Sequence, residues 1–170
     1  MPRHTPGTHY FVPQNFRSLY VRLRSRAYHT YFRFARGMTL GAQACVLDAK
    51  GRVFLVRHTY VSGWHFPGGG VETGEAIMEA LTRELFEEGN ITLTAPPRLL
   101  GIFFNGRVSR RDHIALFLVK DFTQSGPRLA DHELAETGFF ALDELPQTIH
   151  PATKSRINEI LKSLPHPPHW

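Results

Sequence analysis

The sequence predicts an α/β sandwich with a mixed sheet, and three observations predict it. Strand-like runs rich in β-branched and aromatic residues interleave with helical patterns along the whole chain. The best helical pattern, Glu75–Glu88, repeats Ile77, Leu81 and Leu85 every four residues with no Gly or Pro inside it. A length of 170 residues suits one ordinary domain that buries its own core.

Each element follows from local pattern. Residues 1–14 hold three prolines and read as loose; from about residue 15 to 36, Leu19, Tyr20, Leu23, Tyr28, Tyr31 and Phe32 mix with arginines and read as a basic helix. Residues 1–36 are thus a basic arm, 37–164 the domain, and 165–170 a flexible tail rich in Pro and His. Thr39–Leu47 and Arg52–His58 read as two strands joined by the turn Asp48–Gly51. Tyr60–Gly74 is a glycine-rich loop containing Pro67. Leu99–Phe104, His113–Val119 and Thr137–Ala141 are strand-like, and Pro151 opens a last helix carrying Ile157, Ile160, Leu161 and Leu164.

Composition narrows the class. With 42% hydrophobic and 21% charged residues, whole-chain disorder and fibrous rods are excluded. The single Cys45 permits no internal disulfide and reads as a small buried hydrophobe. The longest strongly apolar run, Ile114–Val119, is far short of a membrane span. No apolar stretch near the start suits a signal peptide, so the expected location is cytoplasmic. The net charge of +5 is unevenly spread. Residues 1–36 hold seven arginines and no acid, leaving 13 basic and 15 acidic residues in the remainder, a net of −2. The arm therefore suits an anionic partner, an RNA 5′ end or an anionic membrane surface, as well as it suits a packed helix with solvated arginines.

The chemistry concentrates in Gly68–Glu88. Six of the 15 acids, Glu72, Glu75, Glu79, Glu84, Glu87 and Glu88, fall within 17 residues around a single Arg83. Glu84, Glu87 and Glu88 stand at i, i+3 and i+4 and share a helix face. Glu84 and Glu88 lie on or beside the stripe begun by Ile77 and Leu81, where apolar residues should continue. Carboxylates turned inward repel one another unless a cation neutralises them. Oxygen donors alone select a hard divalent ion, Mg²⁺ or Mn²⁺, with Ala80 leaving room one turn earlier. Phe66-Pro67-Gly68-Gly69-Gly70, feeding the same helix, lets backbone approach a ligand closely. A metal site beside exposed backbone is equipment for handling phosphates.

Residues 69–91 resemble the Nudix box, which runs Gly, five residues, Glu, seven residues, Arg-Glu, apolar, any, Glu-Glu, any, Gly, apolar. Here it reads Gly69, Glu75, Arg83-Glu84, Leu85, Phe86, Glu87-Glu88, Gly89, Asn90, Ile91. Asn90 stands where the family has glycine; asparagine is the next most tolerant residue of a left-handed helix end. The strand order and Phe139–Pro146 extend the resemblance over residues 39–162. It implies a Nudix-type α/β/α sandwich with the mixed sheet between helices. It also implies a hydrolase cleaving the diphosphate of a nucleoside diphosphate linked to another group, by water and Mg²⁺ or Mn²⁺. By the same resemblance Glu84, Glu87, Glu88 and the Gly69 carbonyl are metal ligands, Glu84 or Glu87 doubles as the base, and Arg83 with Glu75 braces the loop.

Outside the box, Glu133 is a loop acid where some members of the family place a further ligand or base; a solvated acid is the other reading. Trp64, Phe66 and Phe104 are candidates to stack on a base or to fill the core. Arg107, with Arg110 and Arg111, is either a phosphate contact or an exposed turn, and His58 reads as a strand residue. A nucleotide- or RNA-binding module without turnover is the alternative function, opposed by the intact set of acids.

Overall fold

The computed structural model describes residues 14–35 and 37–170. The chain divides into two compact units, Met1–Gly37 and Met38–Trp170. The first holds α1 (Gln14–Ala35). The expected loose segment 1–14 lies, but for Gln14, outside the described residues, as do Arg3 and Arg36. The second unit runs β1 (Thr39–Val46), β2 (Val53–His58), β3 (Gly68–Gly70), α2 (Ile77–Gly89), β4 (Ile91–Leu93), β5 (Arg98–Phe104), β6 (Asp112–Val119), β7 (Phe122–Gln124), β8 (Leu134–Phe140) and α3 (Pro151–Leu161).

A four-stranded sheet has the order β3-β1-β6-β5, and two-stranded sheets pair β2 with β8 and β4 with β7. β1 and β6 run parallel, while β3 and β5 join antiparallel, so the sheet is mixed. Alternation along the central strands fills two cores. Ala42, Ala44, Val46, Phe54, Val56, Ala115, Phe117 and Val119 pack with Leu81 and Leu85 of α2. Their neighbours Cys45, Val53, Leu55, Leu116 and Leu118 pack with Ile157 of α3. Strands buried on both faces, with one helix on each, give the α/β/α sandwich. Burial also pushes the Cys45 thiol up to about 12, leaving it a hydrophobe in effect.

Three expectations are corrected. Asp48–Gly51 does turn, with Asp48 accepting from the backbone N–H groups of Lys50 and Arg52. The strands it joins are not a hairpin, however. After one bridge, Leu47 to Val53, β1 goes to the four-stranded sheet and β2 to β8. The glycine run is strand rather than loop: Gly68, Gly69 and Gly70 pair with Gln43, Ala42 and Gly41. The tail, expected to be loose, is bonded to the domain in the structure. Phe104 donates its N–H to the Pro168 carbonyl, and Trp170 donates to that of Phe104. The Trp170 ring lies 5.5 Å from that of Phe103, and the Arg156 guanidinium stacks 4.8 Å from the Phe103 ring. A terminal tryptophan offers a large apolar area, which outweighs the loose composition around it.

Helix α2 begins with the Glu79 carboxylate accepting the Ala76 N–H at 2.8 Å. It ends at Asn90, whose φ of 52° and ψ of 32° are left-handed. The Asn90 side chain reaches the Gly126 and Pro127 carbonyls only at 3.4 Å. Asn90→Gly should therefore change stability by less than about 1 kcal/mol, since strain relief and added chain entropy oppose each other. Urea denaturation checks this; a loss above about 2 kcal/mol would mean that those long side-chain contacts matter.

Candidate active site

Helix α2 supplies one wall of a cleft of about 750 Å³, and the segment Arg128–Leu134 supplies another. Leu81 and Leu85 hold α2 against the sheet, and the same stripe carries on into Glu88, which is only 7% exposed. Glu84 is mostly buried and Glu87 faces solvent. Glu84, Glu87, Glu88, Arg83, Gly69 and Glu133 all line the cleft.

The carboxylates are held by a few strong contacts. The Arg83 Nε and Nη2 donate to the two oxygens of Glu75 at 2.9 and 3.1 Å. Nη2 also reaches the Gly70 carbonyl at 3.1 Å, while Nη1 donates to Glu84 at 2.7 Å and to Glu87 at 3.4 Å. The Glu75 carboxylate also accepts the Glu72 N–H, so one guanidinium ties α2 to the turn that precedes it and to β3. Glu88 accepts the Gly68 N–H at 2.7 Å, and its other oxygen lies 3.4 Å from His58 Nε2. Gly68 is required by close approach to backbone, and a side chain at Gly69 would displace the Glu84 carboxylate. A Cβ on Gly69 would meet the Glu84 carboxylate at 2.3 Å, and one on Gly68, at φ 136°, would meet the Ala42 carbonyl at 2.1 Å.

Burial raises the Glu84 and Glu88 carboxyls, Glu88 to about 8, against the lowering effects of Arg83 on the first and the Gly68 N–H on the second. Glu84, Glu87 and Glu133 push Glu88 further in the same direction. The donor set fits a hard divalent cation: three carboxylates line one cleft beside a backbone strand. Gln43 also lines the cleft, and its buried Oε1 has no hydrogen-bond partner among the described residues. Arg83 and Gly68 hold the acids apart, and among the described residues no three His, Cys, Asp or Glu groups stand arranged to hold a metal ion. The expectation for Ala80 is corrected: it is fully buried in the core under α2, so it opens no space beside the carboxylates.

Glu133 extends from the facing segment and is 69% exposed on its side chain. Its position is set by Asp131, which accepts the N–H groups of Glu133 and Leu134 at 2.8 and 2.9 Å. Those backbone bonds hold Asp131 down at about 2. Arg128 pairs with Asp131 and donates to the Glu87 carbonyl at 2.7 Å, tying the segment to the end of α2. Glu136, by contrast, pairs with Arg57 on the β2–β8 ladder, away from the cleft lining.

The aromatic candidates separate. Trp64 is buried, with its ring 4.7 Å from that of Phe140. Phe66 borders the cleft, yet its ring is buried in the core near Trp170. Phe104 packs on His113 and His169, and Arg107 sits in the exposed turn after β5; neither lines the cleft. Trp64, Phe66 and Phe104 thus serve packing, and Arg107 the surface. Two further residues line the cleft: Tyr60, 72% exposed, and His58, which is the strand residue expected and also faces the site. For His58 a signal existed: Phe54 and Val56 face α2, and strand alternation sends His58 the same way.

A family description of the NUDIX domain matches residues 38–161. The chain belongs to the Nudix family. A putative 8-oxo-dGTP diphosphatase of Bacillus subtilis (strain 168) is 30% identical over 124 residues, 71% of this chain and 78% of that protein. An RNA pyrophosphohydrolase of Francisella philomiragia is 44% identical over 43 residues, 25% of this chain and 28% of that one. The crystal structure of a MutT NUDIX hydrolase from Burkholderia pseudomallei superposes with a TM-score of 0.62 at 26% identity, covering 72% of this chain and 97% of that one. The chain is accordingly a Nudix-type pyrophosphohydrolase, and Nudix hydrolases generally need divalent metal ions. Among the described residues, no helix is long and apolar enough to cross a membrane.

The raised Glu88 carboxyl gives a stability prediction. The folded protein holds this proton up to about 8, whereas an ordinary glutamate releases it near 4.5, so ionisation opposes folding. The metal-free protein should lose stability as pH rises through that window. His58, held low by burial, acts with the opposite slope and lies 3.4 Å from Glu88, so the comparison reads the two as a pair. Glu88→Gln keeps the shape and removes the Glu88 contribution. In urea titrations without metal, the difference between variant and parent should move in favour of the variant from about pH 5 to about pH 8. A constant difference would mean that Glu88 is not strained by its surroundings.

Proposed function

We propose that the chain hydrolyses the diphosphate of a nucleoside diphosphate linked to another group. The observation that carries this reading is one cleft with three co-facial glutamates on one wall and a separate acid, Glu133, on the facing segment. The names of the relatives, an 8-oxo-dGTP diphosphatase and an RNA pyrophosphohydrolase, support a nucleotide-type substrate. The cleft volume is of the size that encloses such a molecule.

Glu84, Glu87, Glu88 and the Gly69 carbonyl would hold Mg²⁺ or Mn²⁺, which supplies charge neutralisation of the diphosphate and of the leaving phosphate. Glu133 takes the proton of a water as its oxygen attacks phosphorus and the anhydride P–O bond breaks, the electron pair leaving on the departing phosphate. Arg83 keeps the acids and β3 in register, and the Gly68 N–H fixes Glu88. Tyr60, exposed at the cleft, offers a ring face to a base.

The direct test is a metal-supplemented panel of nucleotides, nucleotide sugars, dinucleoside polyphosphates and triphosphorylated RNA, with products identified by mass. Products in which the anhydride is cut and the nucleoside kept support the reading; no cleavage of any anhydride sinks it.

Glu133→Gln should lower the rate roughly 10²–10⁴-fold, as loss of a general base does, with fold and most metal binding retained. Glu136→Gln, whose partner is Arg57, should do little. Steady-state rates of the two variants decide the matter: equal effects would remove Glu133 from the site and leave the helix glutamates in it.

A further inference from the structure

The arginine-rich helix α1 is unexplained by hydrolysis. It spans 22 residues, about 33 Å, with no acid in its first turn or anywhere along it. Every described side chain from Val21 to Tyr28, with Thr30, Tyr31 and Ala35, is exposed. Those exposed include Leu23 at 54%; Val21, also at 54%, and Tyr28 stand on the opposite face. Leu23, Ala27 and Tyr31 recur every four residues and so share one face. At about 100° per residue, positions Phe16, Leu19, Tyr20 and Phe34 fall within the same sector, about 120° wide. Arg17 and Arg24 border that sector on one side, and Arg22, Arg26 and Arg33 on the other.

An apolar stripe bordered on both sides by arginines has a specific physical match. It suits a surface that is apolar below and anionic at the level of the stripe's edges. Nucleic acid would use the arginines and leave the leucine positions in water. A second copy of α1 would bring arginine against arginine with no acid between them. We propose that α1 lies along an anionic membrane surface, its Leu23 face among the acyl chains and its arginines on lipid phosphates.

The test uses the full chain with vesicles of phosphatidylcholine mixed with phosphatidylglycerol, and of phosphatidylcholine alone. The protein should sediment with the anionic vesicles, weakly or not at all with the neutral ones, and should be released by high salt. Arg22→Gln/Arg24→Gln/Arg26→Gln should lower partitioning about 100-fold, the size expected of three arginines at an anionic surface. Leu23→Gln should lower it about 10-fold, with the thermal midpoint unchanged. Absence of binding to anionic vesicles overturns the proposal. So does loss on arginine replacement with none on Leu23→Gln, particularly where the parent binds a single-stranded RNA oligomer instead. A lower thermal midpoint for Leu23→Gln, or dimers in sedimentation, also overturns it, because the stripe would then be packed on protein.

Discussion

One guanidinium controls the site. Arg83 bonds to Glu75, Glu84 and Glu87 and reaches the Gly70 carbonyl, so it fixes helix, turn and strand together. Without it, acids that share a helix face would repel at close range in a partly buried setting. Hydrogen bonding to Glu75 and Glu84 raises the Arg83 pKa further, so the charge is never in question. Glu84 and Glu87 both lean on Arg83, a cation that the chain always carries.

Glu88 is the exception that Arg83 does not reach. Its partners are a backbone N–H and His58, and burial holds its proton up to about 8. Leu81 and Leu85 would be followed on that stripe by another apolar residue in a helix built for stability alone. A glutamate there lowers the stability of the protein once it ionises, so the position is not explained by packing. Gly68 is part of the same arrangement. Only a residue without Cβ lets β3 sit against the Ala42 carbonyl while presenting its N–H to Glu88.

How much of this was legible depends on the range of the signal. Residues four apart on α2 carry their own register, so the shared face of Glu84, Glu87 and Glu88 and the left-handed end at Asn90 could be read directly. The α/β sandwich followed from interleaved patterns of similar kind. Pairing partners did not. Asp48–Gly51 is a turn by its own hydrogen bonds, yet nothing within it says that β2 will leave for β8. Gly68–Gly70 has no side chains to alternate, so its place beside β1 was invisible as pattern. Trp64 and Phe66 flank the glycines in sequence, but position next to a site does not fix which way a ring points. His58 is the strand residue its pattern suggests, and alternation from Phe54 and Val56 is what turns it toward α2. Trp170 lies in a segment whose composition says loose, and one large ring reverses that.

The segment Arg128–Leu134 shows how a fold can place an acid it does not bury. Glu133 is too exposed to be located by packing. Asp131 instead caps the backbone N–H groups of Glu133 and Leu134, and Arg128 joins Asp131 to the last turn of α2 through the Glu87 carbonyl. The helix that bears the glutamates therefore also anchors the segment that faces them. Two walls of the cleft come from distant parts of the chain, and a polar clasp rather than a hydrophobic contact keeps them in step. A clasp of this kind suits a working cleft better than apolar packing would. It holds Glu133 at the rim of the cleft without taking it out of water.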